Sequence, residues 1–208
     1  MVKIWNQIEL NPRYLLLATG TEKLLDSNII EHFYLSIADF ETRLQEVLGM
    51  MSGGREVTVP KAIDGSEYTP TTIRVLEEGQ FMGWHFGNQF LHCTPGYKYL
   101  ATQINTEVHL GYFLMLSPAE AGGELILYDL EWDQTEWTDT ENGGRKRNGM
   151  VNGKLIADVM EDYAQMSISP KAGSLVIFDD SRILHRVSTV QGSQWSPFLH
   201  ILPNLISL

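Results

Sequence analysis

From Thr71 onward the chain is a succession of short β-rich runs with turn signals between them, and this limits its fold more than any other feature. The runs are Thr71–Leu76, Val108–Leu116, Glu124–Leu130, Ser174–Phe178 and Ile183–Val190. Asp64-Gly65, Gly122-Gly123 and Lys171-Ala172-Gly173 supply breaks. Several short strands in one continuous stretch predict a mostly β fold. A sandwich or jelly roll fits better than a βαβ arrangement, which needs a helix between successive parallel strands. No internal repeat is present.

The first third has a different period. Leu24, Leu25, Asn28, Ile29 and Phe33 trace one mostly apolar stripe at helical spacing. Phe40, Leu44, Val47, Leu48 and Met51 trace a second, with Asp39 placed to cap its start and Gly53-Gly54 to stop it. These helices are expected to buttress the sheet core. At 208 residues the expectation is one domain spanning 1–208, helical to about residue 60 and jelly roll over 61–208. Asp139–Gly153 is polar and carries Arg145-Lys146-Arg147, which reads either as a solvated loop or as a lid near a site mouth. A helix bearing Leu155, Val159 and Tyr163 is expected after it.

Charge narrows the partners. The net charge of −11 makes the chain a poor ligand for phosphate backbones or anionic lipid, so neither nucleic acid nor membrane is expected as a partner. It also gives no electrostatic help in docking on an acidic carrier protein. The single cysteine, Cys93, excludes an intrachain disulfide and any multi-cysteine metal site. No apolar run approaches the ~20 residues of a membrane span, and the N-terminus lacks a signal-peptide core. A reducing, cytoplasmic compartment is the expectation.

Two of the six histidines stand in informative contexts. His85 lies in Gly83-Trp84-His85-Phe86-Gly87-Asn88. If that segment is extended, His85 and Gly87 point to one face. His185 lies in Ile183-Leu184-His185-Arg186-Val187, where Ile183, His185 and Val187 share a face in a strand. Taken singly, each reads more simply as a hydrogen-bonded core histidine. Together, two distant histidines on strands of one jelly roll match a non-haem iron site. The usual His-x-Asp/Glu carboxylate of that facial triad is here Gly87. His92, His109 and His200 have no partner spacing that marks them as ligands.

The stretch Tyr68–Gly79 followed by His85-Phe86-Gly87-Asn88-Gln89-Phe90-Leu91 resembles the iron(II)/2-oxoglutarate-dependent aliphatic halogenases, most closely those acting on free-standing hapalindole-type indole alkaloids. Pro118–Trp132, with Gly122-Gly123-Glu124-Leu125, and His185-Arg186-Val187-Ser188-Thr189-Val190 are similar to the same group. The resemblance implies a double-stranded β-helix, iron(II) held by His85 and His185, and chloride at the coordination position that Gly87 leaves without a carboxylate. It further implies 2-oxoglutarate and O2 as co-substrates, and chlorination of an unactivated aliphatic C–H in a small molecule of the indole-terpenoid alkaloid kind. Arg74, eleven residues before His85, matches an arginine of that family and is assigned to the co-substrate, whose carboxylate a guanidinium can grip bidentately. The competing assignment for Arg74 is a strand-surface residue paired with Glu77 or Glu78.

The oxygenase pattern also places an arginine about ten residues past the distal histidine, and no arginine follows Arg186. Relative to the family, Met1 falls inside the usual N-terminal region, so a leading segment that helps wall the substrate pocket is expected to be missing. The alternatives are a hydroxylase with the same iron centre and a non-catalytic jelly-roll binding protein.

Overall fold

The computed structural model describes residues 42–66, 72–90, 99–105, 109–139, 147–192 and 196–201. The expected helix over Leu24–Phe33 lies outside them. Residues 42–51 are helical, and their apolar stripe is buried at Leu44 and Leu48, as the second periodicity predicts. No helix among the described residues is long and apolar enough to cross a membrane.

Eleven strands are described: β1 Thr72–Leu76, β2 Met82–His85, β3 Gly111–Met115, β4 Leu125–Glu131, β5 Glu136–Asp139, β6 Arg147–Val151, β7 Lys154–Leu155, β8 Gln165–Ile168, β9 Leu175–Phe178, β10 Ile183–Val187 and β11 Ser196–Ile201. Eight of them form two four-stranded antiparallel sheets, ordered β1-β11-β3-β9 and β2-β10-β4-β8. Two such sheets packed face to face are the jelly roll expected from the spacing of the β-rich runs.

Strand alternation sorts side chains into three layers. Phe113 and Met115 of β3 and Phe178 of β9 meet Leu125 and Leu127 of β4 between the sheets. The alternate residues of β3, Tyr112 and Leu114, face outward and pack on Leu44 and Leu48 of the helix. Both faces of β3 are therefore covered, which explains why it reads as a continuous apolar run rather than an alternating one. Behind the second sheet, Phe86, Tyr128, Leu130 and Leu184 pack with Val151, Ile156 and Trp137. Most of that cover comes from a third, three-stranded sheet, β5-β6-β7.

This third sheet revises the reading of Asp139–Gly153. Residues 147–151 are a strand paired with β5, not loop or lid, while residues 140–146, with Arg145 and Lys146, lie outside the described residues. Asn152 and Gly153 both have positive φ and turn the chain directly into β7, as an Asn-Gly two-residue hairpin does. Leu155 accordingly ends β7 rather than lying in a helix, and the helical turn that follows is only Ile156–Val159. Ser196–Ile201 is a strand as well. β11 sits inside the first sheet between β1 and β3, with Phe198 opposite both Arg74 and Met115.

Candidate active site

β2 and β10 are neighbours, and their register sets His85 directly opposite His185. The residues flanking His85, Trp84 and Phe86, belong to the outer layer, as does Leu184 beside His185. Period-2 alternation therefore turns both imidazoles toward the space between the sheets. Their ring centroids are 4.1 Å apart, tilted by 58°, and the Phe178 ring stands edge-on to His185 at 4.9 Å. His185 is only 4% exposed.

Both rings are anchored in the same way. Nδ1 of His85 lies 2.8 Å from the Gly83 carbonyl oxygen, and Nδ1 of His185 lies 2.8 Å from that of Ile183. A carbonyl only accepts, so Nδ1 carries the proton in each ring. The lone pair of the neutral imidazole is then on Nε2. A second-shell carbonyl on the far nitrogen is the usual arrangement for a metal-ligating histidine. The donor set thus fits a divalent transition metal taking two nitrogen ligands. Among the described residues, no group of three His, Cys, Asp or Glu side chains is arranged to hold a metal ion.

The family motifs serve to align these strands. The Ser188 N–H donates to the Glu124 carbonyl at 2.9 Å, the Glu124 N–H donates to Ser188 Oγ at 3.0 Å, and Ser188 Oγ also donates to the Glu124 carboxylate. This latch ties the start of β4 to the end of β10. Beside it, a side chain at Gly122 would collide with the Thr189 carbonyl, so the close strand approach needs glycine there.

A small cavity of about 30 Å³ lies against the histidine pair, lined among others by Met82, Gly111, Phe113, Leu125 and Asp180. Phe178 borders both this cavity and a larger groove of about 610 Å³ that also contacts Leu110, Met166 and Ile183.

The family described as carrier-protein-independent halogenase WelO5 matches residues 23–196 of this sequence. The chain belongs to that family. The resemblance read from the His-x-Gly and Gly-Gly-Glu-Leu segments is thus borne out at the family level. No curated protein sequence matches the chain. Solved structures similar to it include a 2OG-Fe(II) oxygenase family oxidoreductase from Burkholderia pseudomallei, at 14% identity over 81% of this chain and TM-score 0.44. This halogenase-family chain spans 54% of that protein. An N-substituted L-amino acid dioxygenase from Burkholderia ambifaria AMMD is also 14% identical, over 86% of this chain and 68% of its own, with TM-score 0.47. The PvcB protein of Pseudomonas aeruginosa is 9% identical over 88% and 72%, with TM-score 0.39. Likenesses this distant decide nothing about the chemistry of the WelO5-family chain.

The other residues singled out from the sequence fall in varied places. β2 ends at His85, and Gly87 opens a 3-10 turn, Gly87–Phe90, instead of continuing the strand. Its N–H donates to the Asp180 carbonyl at 2.7 Å, which pins this turn to the β9–β10 connection. Gly87 does not line the cavity with His85 and His185, whereas Asp180 does. Arg74 is exposed on β1, and its charge lies close enough to act on His85.

Two buried polar residues gain a place here: His109, set aside from the sequence for want of partner spacing, and Asp180, which the sequence did not mark. His109 and Asp180 are 8% and 5% exposed, and His109 Nε2 lies 3.1 Å from Asp180 Oδ1. Neither has local spacing to a partner, because one precedes β3 and the other follows β9. Only the pairing of those two strands, which sets Gly111 opposite Phe178, brings them together.

Desolvation pushes the His85 imidazole below the usual histidine value of 6.5. The Gly83 carbonyl and the Asp180 carboxylate oppose the shift, and Arg74 reinforces it. The unfolded chain therefore takes up this proton at higher pH than the folded one. The contribution is fully present above about pH 6.5, falls as pH drops below that value, and levels off past the folded value. The denaturation midpoint of the metal-free protein should thus fall between about pH 7 and about pH 5.5, and fall less in His85→Gln. Equal falls in both proteins would assign the acid sensitivity to other groups.

Proposed function

We propose that this chain is an iron(II)-, 2-oxoglutarate- and O2-dependent halogenase that replaces hydrogen by chlorine at an unactivated aliphatic carbon of a free small molecule, an indole-terpenoid alkaloid or a similar apolar scaffold. The single observation that carries this reading is the His85–His185 pair. Two imidazoles share one register, and each has Nδ1 tied to a carbonyl, inside a chain of the carrier-protein-independent halogenase family.

In this reading Nε2 of His85 and Nε2 of His185 would hold iron(II), and Gly87 offers no carboxylate as a third ligand, which would leave a place for chloride. Arg74 supplies positive charge for the co-substrate carboxylates, consistent with its electrostatic reach to His85. Bound iron supplies the redox chemistry that couples O2 to C–H cleavage. The overall reaction joins a C–H bond, chloride, 2-oxoglutarate, O2 and a proton. It yields a C–Cl bond, succinate, carbon dioxide and water. The protein's contribution is to hold the target carbon beside the metal and exclude water from it. The groove bordered by Phe178 has the volume class of a small-molecule site.

The test is anaerobic reconstitution with iron(II), 2-oxoglutarate and chloride, then oxygen and mass analysis against candidate indole alkaloids. A product with the chlorine isotope pattern is expected, formed with stoichiometric succinate. A product carrying only hydroxyl would make the chain a hydroxylase with the same centre. Absence of an iron–2-oxoglutarate absorption band before oxygen is added would make it a non-catalytic binding protein.

A further inference from the structure

We infer that His109, whose Nε2 stands 3.1 Å from Asp180 Oδ1, is the positioning residue that keeps carboxylates off the coordination position beside His85 and His185. This rests on the metal site proposed above and identifies what keeps that position open.

Two glycines make room for the buried pair. A Cβ on Gly87 would overlap Nε2 of His109 and stand 3.0 Å from the Asp180 carbonyl oxygen. A Cβ on Gly111 would overlap the Asp180 carboxylate and stand 2.6 Å from its Cβ. The imidazole of His109 therefore fills the space that a side chain at 87 would enter, and Gly111 seats its partner.

Asp180 is the more telling member. Its side chain lines the same cavity as both histidines, and two imidazoles with a nearby carboxylate are the components of a facial triad. Yet it is not arranged with them as a three-residue metal group, and its Oδ1 faces His109 instead. A buried carboxylate is strongly disfavoured unless a cation or a hydrogen-bond donor meets it. With His109 removed, the nearest compensation is a metal on His85 and His185. His109 thus stands against Asp180 Oδ1 and blocks residue 87 sterically, and both placements leave room for a halide.

Cobalt(II) titration of the full chain tests this by affinity and by the visible cobalt spectrum, without turnover. His109→Ala should bind cobalt about tenfold more tightly than the parent, as a carboxylate joins the shell, and lose any spectral shift caused by chloride. His109→Ala/Asp180→Asn should reverse both effects. His109→Gln, which keeps a polar side chain of similar reach beside Asp180, should resemble the parent. Asp180→Asn alone should bind cobalt as tightly as the parent, because Asp180 is not a ligand while His109 holds it; weakened binding in that variant would overturn the inference. So would a His109→Ala protein whose cobalt affinity matches the parent or is unaffected by adding Asp180→Asn. Cobalt binding that survives His85→Ala would sink the metal assignment and this inference with it. A parent spectrum indifferent to chloride would sink only the halide reading, because the affinity comparison still decides whether His109 restrains Asp180.

Discussion

His85→Ala and His185→Ala proteins are expected to lose iron binding by at least ~100-fold, and with it all 2-oxoglutarate- and oxygen-dependent turnover. With two protein ligands proposed, deleting either leaves one imidazole, too few to hold the metal at micromolar concentration. The two losses should be of similar size, because both rings use Nε2 and both are anchored at 2.8 Å through Nδ1. Neither substitution removes a residue of the large apolar clusters, so the folded signal should persist. Anaerobic iron titration followed by thermal unfolding of the same samples separates the two effects. A variant that folds and still turns over would refute the ligand assignment.

Gly87→Asp is expected to abolish chlorination, and the structure indicates that Gly87→Ala is already costly. In the first variant a carboxylate would reach the metal only by displacing His109, and would there take the halide position. In either variant the new Cβ drives into His109 Nε2 while the Asp180 carbonyl closes the other side at 3.0 Å. Overpacking of a buried site by one such group costs about 1–3 kcal/mol. His109 is pinned between the new methyl and Asp180, so it cannot step aside freely. Chemical denaturation should therefore show Gly87→Ala destabilised in the parent but far less so in a His109→Ala background. Equal destabilisation in both backgrounds would mean that His109 is not the obstacle. Undiminished chlorination by Gly87→Asp would place the halide elsewhere.

Much of the sheet architecture was legible because its strands are short, apolar and bounded by turns. β1, β3, β4, β9 and β10 each fall within or across a run identified from residue pattern alone. The shared face of Ile183, His185 and Val187 also follows from a period of two, and the structure keeps Val187 and His185 on one cavity wall. β5 and β6 were missed because Trp, Thr, Asp, Arg and Asn in short alternation look like surface loop. They pair into a sheet only because Trp137 and Val151 have the outer layer to pack against. β11 was missed for the opposite reason. Ser196–Ile201 has no clean alternation that announces a central strand, and its place between β1 and β3 is a matter of long-range pairing.

The sequence by itself determined which residues alternate inward, where the turns fall, and that two histidines far apart on the chain carry the family's His-x-Gly and His-Arg-Val-Ser patterns. Tertiary structure alone decided that those imidazoles stand 4.1 Å apart, and that the space beside Gly87 belongs to His109 with Asp180 behind it. The physical reason is register. Local periodicity says which face a side chain takes, but its neighbours across the sheet and between sheets are set by which distant strand pairs with it and at what offset.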